Sequence, residues 1–150
     1  MKDWRPSLAS CAFAAILLSV GAPVAAQQRT VVEGIVVNLG IVTAEEAFGA
    51  EGHREAHPFT TAASARHLLI TLDDQKSGNR IGNAEVVVEV ADPGGRVEKK
   101  ALLHTQAAGL PDYSEMFDFR SFGEYTVRVV ITPQSGAKPI EAQFKVKRTA

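Results

Sequence analysis

Two histidines, His53 and His57, lie four positions apart in the run Gly52-His53-Arg54-Glu55-Ala56-His57-Pro58. At that spacing two imidazoles can converge on one ion from a helical turn or a folded loop, and Glu51 or Glu55 would add an oxygen donor. Such a set suits zinc, copper(II) or nickel. The same spacing also occurs in solvated loops whose histidines simply titrate near neutral pH, and Pro58 stops a helix from running past His57. Of the other two histidines, His67 precedes an apolar strand and His104 ends another, where a ring can cap a strand edge or complete a site with the first pair. His104 is the better candidate. It sits in Leu103-His104-Thr105-Gln106, followed by Gly109-Leu110-Pro111-Asp112-Tyr113, so that His104, Gln106, Asp112 and Tyr113 bring an imidazole, an amide, a carboxylate and a phenol into one expected loop. That loop suits a ligand or a protein partner. Its plainer reading is an ordinary connection between strands. The expected metal ligands are His53, His57 and His104, and a divalent transition metal is the one cofactor to which these residues point.

No catalytic constellation accompanies them. Ser64, Ser77, Ser114, Ser121 and Ser135 lack the strand-turn-helix setting of an activated nucleophile. Asp73 and Asp74 are adjacent, and neighbouring residues of a strand point to opposite faces, so they read as the start of a turn rather than as paired carboxylates. No glycine-rich phosphate loop joins a strand to a helix. The expectation is a protein without enzymatic activity.

The elements that must position these side chains begin after residue 26. Lys2 and Arg5 form a basic start, Leu8 to Val20 an apolar run, and Val24-Ala25-Ala26 a small-residue cleavage signal before Gln27. The run falls short of the roughly 20 residues of a membrane span. A lipobox reading of Leu8-Ala9-Ser10-Cys11 fits less well, because Cys11 precedes most of the apolar run. The expectation is export to a periplasm with cleavage after Ala26, leaving 124 residues as one domain and no transmembrane segment. Cys11, the one cysteine, leaves with the signal, and with it disulfides, thiolate metal sites and thiol redox chemistry. A net charge of −1 with interspersed signs offers no footprint for nucleic acid.

Within residues 27–150 the pattern is period two. Val31 to Val42 reads as a first strand interrupted by Gly34 and Gly40, and 43–65 as a long loop in which Ala44 to Ala47 is one possible helical turn. Leu68, Ile70 and Leu72 then alternate with partners of the other face, as do Val86, Val88 and Val90, then Tyr125, Val127, Val129 and Ile131, and finally Ile140, Ala142, Phe144 and Val146. Arg96 to Leu103 and Tyr113 to Phe119 supply two more strands. The fold class is all-β: an immunoglobulin-like antiparallel β-sandwich of about seven strands, preceded by a cleaved signal peptide. Its core is drawn from Leu68, Ile70, Leu72, Val86, Val88, Val90, Phe117, Phe119, Tyr125, Val127, Val129, Ile131, Phe144 and Val146.

The stretch from Leu69 to Val130 resembles the small periplasmic immunoglobulin-like accessory domains of the YtkA-like kind. The likeness rests on Leu69-Ile70-Thr71-Leu72-Asp73-Asp74 with Gly78, on Ile81 to Val86, on the Asp92-Pro93-Gly94-Gly95 turn, and on Phe122-Gly123-Glu124-Tyr125-Thr126-Val127. It implies a periplasmic binding or accessory role, in some relatives beside metal-handling proteins. The methionine-rich copper loop of some relatives is missing, since Met116 is the only methionine after the signal. The function expected first is thus a non-enzymatic exported binding or interaction module meeting another periplasmic or envelope protein. The alternative is a metal-binding accessory protein using the loop histidines.

Overall fold

In a computed structural model, residues 26–49 and 63–150 are described; the expected signal sequence up to Ala25, and His53 and His57, lie outside them. Alternation at period two builds nine strands among the described residues: β1 (Ala26–Val32), β2 (Ile35–Thr43), β3 (Ala65–Asp74), β4 (Ala84–Ala91), β5 (Val97–Ala101), β6 (Leu103–Ala107), β7 (Leu110–Asp118), β8 (Gly123–Pro133) and β9 (Ile140–Arg148). One short helix, α1 (Ala44–Gly49), follows β2. The strands form a five-stranded sheet in the order β1-β2-β3-β7-β6 and a four-stranded sheet in the order β5-β4-β8-β9, all pairs antiparallel. The expected all-β sandwich is the observed architecture.

Every residue expected in the core is buried there, because each strand turns one alternate set inward and a slip by one would expose it. Val37, Leu39 and Ile41 of β2, with Leu102, Tyr113, Ile140 and Ala142, complete the cluster. Tyr125 closes one corner: its hydroxyl donates to the Ser121 carbonyl at 2.8 Å and accepts from the Ser121 N–H at 2.9 Å. This four-residue clasp is the tyrosine corner of immunoglobulin-like sandwiches.

The strand count exceeds the expected seven for two physical reasons. Val31 to Val42 is two strands, because Glu33 and Gly34 both adopt positive φ, 48° and 80°, and fold the chain into a two-residue hairpin pairing Val32 with Ile35. Arg96 to Leu103 also divides. Leu102 is buried, its N–H bonded to the Val86 carbonyl at 2.8 Å, and the chain there leaves the four-stranded sheet as β5 and enters the five-stranded sheet as β6. The stretch expected as a long loop over 43–65 carries regular structure at both ends. Thr43 ends β2 and Ala65 opens β3, and the expected turn at Ala44 is α1. Thr43 and Glu46 cap it reciprocally: Thr43 Oγ1 accepts the Glu46 N–H at 3.1 Å, and Glu46 Oε2 accepts the Thr43 N–H at 2.8 Å.

The outward face of the four-stranded sheet is a ladder of alternating charge. Glu89 binds Lys99 at 2.9 Å and Arg128 at 3.0 Å, and Arg128 reaches Glu141 at 2.5 Å. Hydrogen bonds from Lys99 and Arg128 hold the Glu89 carboxyl below its ordinary value of 4.5; Thr43 does the same for Glu46, and Ser77 for Asp74 from 3.8. A carboxyl that titrates lower in the folded chain than in the unfolded one stabilises the fold above the unfolded value, and that contribution disappears as the pH falls through the folded value. Thermal midpoints are therefore expected to be level near neutrality and to fall on acidification below about pH 4.5, with Asp74→Asn flattening part of that fall. Melts of both proteins across pH 3 to 7 check it, and parallel curves would remove Asp74 from the account.

Candidate functional site

The five-stranded sheet carries both described histidines, on opposite faces. Leu68, Ile70 and Leu72 of β3 point into the core, so His67 lies on the outward face, where the register sets it directly across from Met116 of β7. His104 of β6 pairs with Tyr113, a core residue, and so lies on the inward side at the sheet's open edge. It is exposed. Its ring meets that of Tyr113 at 5.5 Å between centroids, and Nε2 lies close enough to Gly82 to stand 3.4 Å from a Cβ placed there. Of the two, His67 shares its face with a thioether sulfur. That pairing joins residues far apart in sequence, so only the β3-β7 register reveals it.

The loop expected around His104, Gln106, Asp112 and Tyr113 is a hairpin instead. β6 and β7 pair from Leu103 opposite Ser114 to Ala107 opposite Leu110, and the turn consists of Ala108 and Gly109, at φ 50° and 78°. Its side chains divide. His104 and Gln106 are exposed, whereas Tyr113 is 1% and Asp112 3% exposed. The Tyr113 hydroxyl accepts from the Ala84 N–H at 3.1 Å and donates to the Ile81 carbonyl at 3.2 Å, tying β7 to the segment before β4. The Asp112 carboxylate accepts the Thr105 hydroxyl, whose oxygen lies 3.2 Å from Ser114 Oγ. The phenol is thus used by the fold. Thr105, the partner of Asp112, and Ser114, the partner of Thr105, carry no signal in the sequence because two hydroxyls nine residues apart meet only once the hairpin forms.

Among the described residues no group of three or more His, Cys, Asp or Glu side chains is arranged to hold a metal ion. His67 and Met116 offer a nitrogen and a sulfur on one face, which by themselves do not fill the four-coordinate set of a closed structural site. No described helix is long and apolar enough to cross a membrane.

No protein-family model matches the chain, and no curated protein matches it by sequence. Solved structures do. FetP of uropathogenic Escherichia coli strain F11, expressed in a periplasm, is 14% identical at a TM-score of 0.64, over 81% of this chain and 92% of that one. A copper-bound FetP variant gives 0.65 at 12% identity over 80% and 93%. Copper-reconstituted P19 of Campylobacter jejuni gives 0.63 at 13% over 81% and 93%, and a DUF4426 family protein of Pseudomonas aeruginosa PAO1 gives 0.62 at 11% over 81% and 94%. At such identities the likeness is one of fold, and in fold this chain is similar to these β-sandwich proteins across about four fifths of its length.

Proposed function

We propose that this chain is an exported, non-enzymatic accessory protein of the periplasm that binds a transition metal, with His53 and His57 as its first ligands. The observation that carries the reading is the shared sandwich, since FetP and P19 variants of the same architecture are copper-bound. The first twenty-six residues support export, and the likeness to YtkA-like accessory domains points the same way. His67 follows His57 by ten residues and faces Met116, which makes it a better third donor than His104 on the opposite face. With Met116 opposite His67 in the β3-β7 register, copper is favoured over zinc, because soft sulfur ligands select Cu(I). The described part of the protein presents His67 on the outward face of the five-stranded sheet; bound copper would supply the redox chemistry.

Metal analysis of untagged protein recovered from a periplasm, followed by copper titration, tests this. Stoichiometric copper is expected, and the double change His53→Ala with His57→Ala should abolish uptake while leaving the metal-free melting temperature nearly unchanged. Unaltered affinity in that variant removes the two ligands from the proposal, and a metal-free protein that takes up no copper removes the proposal itself. A pure protein-docking module is the second reading, favoured by exposed Leu103 and Leu110 beside His104 and Gln106 on the β6-β7 hairpin.

A further inference from the structure

Gly40 stands in the middle of β2 without a conformational reason. Its φ is not among the positive values that favour glycine, and a Cβ built there would meet only the Leu69 side chain, at 3.8 and 4.0 Å. Packing does not demand it either. A strand-interior glycine costs about 0.5–1 kcal/mol in chain entropy and leaves a gap in the sheet face, and one standing use for it is close approach of a ligand. Here the gap is real: a groove of about 460 Å³ opens at Gly40 on the outward face of the five-stranded sheet, within the range of small-molecule sites.

The register defines what surrounds it. Arg29, Asn38 and Thr71 form one row across β1, β2 and β3, and Gln27, Gly40 and Leu69 form the next. Asn38 is oriented by its own hydrogen bonds, its Nδ2 donating to Thr71 Oγ1 at 3.1 Å and to Asp73 Oδ2 at 3.1 Å, while Asp73 is fixed by Arg80 at 2.6 Å. Both amide protons are thereby used, and the carbonyl oxygen remains as an acceptor. Arg29 is exposed and forms no ion pair among the described residues. A guanidinium fork matches a carboxylate, the Asn38 oxygen matches an N–H, and Leu69 with the bare Gly40 backbone matches a small apolar group.

We propose that this groove binds a small amide-bearing carboxylate of the N-acyl amino acid type, with its carboxylate on Arg29, its N–H on Asn38 and its side chain over Gly40 and Leu69. The contacts named use none of the candidate metal ligands, His67 standing one row beyond Leu69 on the same face, so the proposal stands whether or not the protein binds metal.

The probe is N-acetyl-L-leucine, followed by amide chemical shifts of the exported protein. Saturable shifts are expected at Arg29, Gly40 and Leu69. N-acetyl-L-leucine amide, which lacks the charge, should bind at least about tenfold more weakly, the order expected when one charge-assisted contact is lost. Arg29→Gln should reproduce that weakening with the acid. Gly40→Val should abolish the shifts while keeping or raising the melting temperature, because a β-branched residue suits a strand and has space there. Absence of saturable shifts, equal response to acid and amide, or unchanged binding in Gly40→Val each overturns the proposal. A lowered melting temperature in Gly40→Val does so as well, since the glycine would then serve the fold.

Discussion

Val88→Asp is expected to prevent folding. Val88 is fully buried in β4, a central strand hydrogen-bonded on one side to β5 and on the other to β8, with Val129 opposite. The cation directly across from it, Lys100 of β5, is already engaged by Glu98 at 2.9 Å and by the Met116 carbonyl at 2.6 Å, so an aspartate would be desolvated among Val86, Val90, Val127 and Val129 without a free partner. An unpaired charge in such a place costs several kcal/mol, a large part of the 5–15 kcal/mol that holds a typical domain together. The control is one residue away. Val87 lies on the outward face among the charges of Glu89 and Arg128, so Val87→Asp is expected to fold with only a modest change in melting temperature. Far-UV circular dichroism and thermal melts of both variants decide it: a Val88→Asp protein that melts like the parent would mean the strand's inward face had been misassigned.

That contrast between neighbours is also why the fold was legible. Period-two alternation states which face of a strand is buried, and it named the inward residues of β3, β4, β8 and β9 without any knowledge of the partner strands. It does not state where a strand stops. Glu33 and Ala108 take left-handed backbone angles that asparagine, aspartate or glycine would have advertised, so the two tight hairpins they make read as a single strand interrupted at Gly34 and as an open loop. Leu102 is apolar in an apolar run, and nothing local says that the chain changes sheets there.

The candidate site was less legible because its chemistry depends on pairing across long sequence distances. His67 beside Met116 follows from the β3-β7 register, and Asp112 beside Thr105 and Ser114 follows from the β6-β7 hairpin. Composition could identify the side chains able to bind but could not sort them by face. His104 and His67 both read as strand-end residues, with His104 the better candidate, and the sheet sets them on opposite faces. His53 and His57, the pair with the clearest spacing, lie outside the described residues, so the metal titration carries their assignment.

Tyr113 provides the sharpest division between a residue of the site and a residue of the fold. Its ring is 1% exposed and packs in the core, so Tyr113→Ala should open a cavity and cost about 3–5 kcal/mol, the range for removing a buried aromatic side chain. Tyr113→Phe keeps the ring and deletes only the hydroxyl. The Ala84 N–H and the Ile81 carbonyl then lose their partner, at a cost of about 1–3 kcal/mol for buried groups left unpaired. Chemical denaturation of the two variants should therefore show a graded loss, with the larger effect from alanine. Copper uptake, measured on Tyr113→Phe under conditions where it is fully folded, should match the parent, because a phenol engaged with the backbone between β3 and β4 has no hydroxyl to offer a ligand. Parental stability in Tyr113→Phe together with impaired binding would return the residue to the site, since a hydroxyl free to serve a ligand cannot also be the one that fastens β7 to the start of β4.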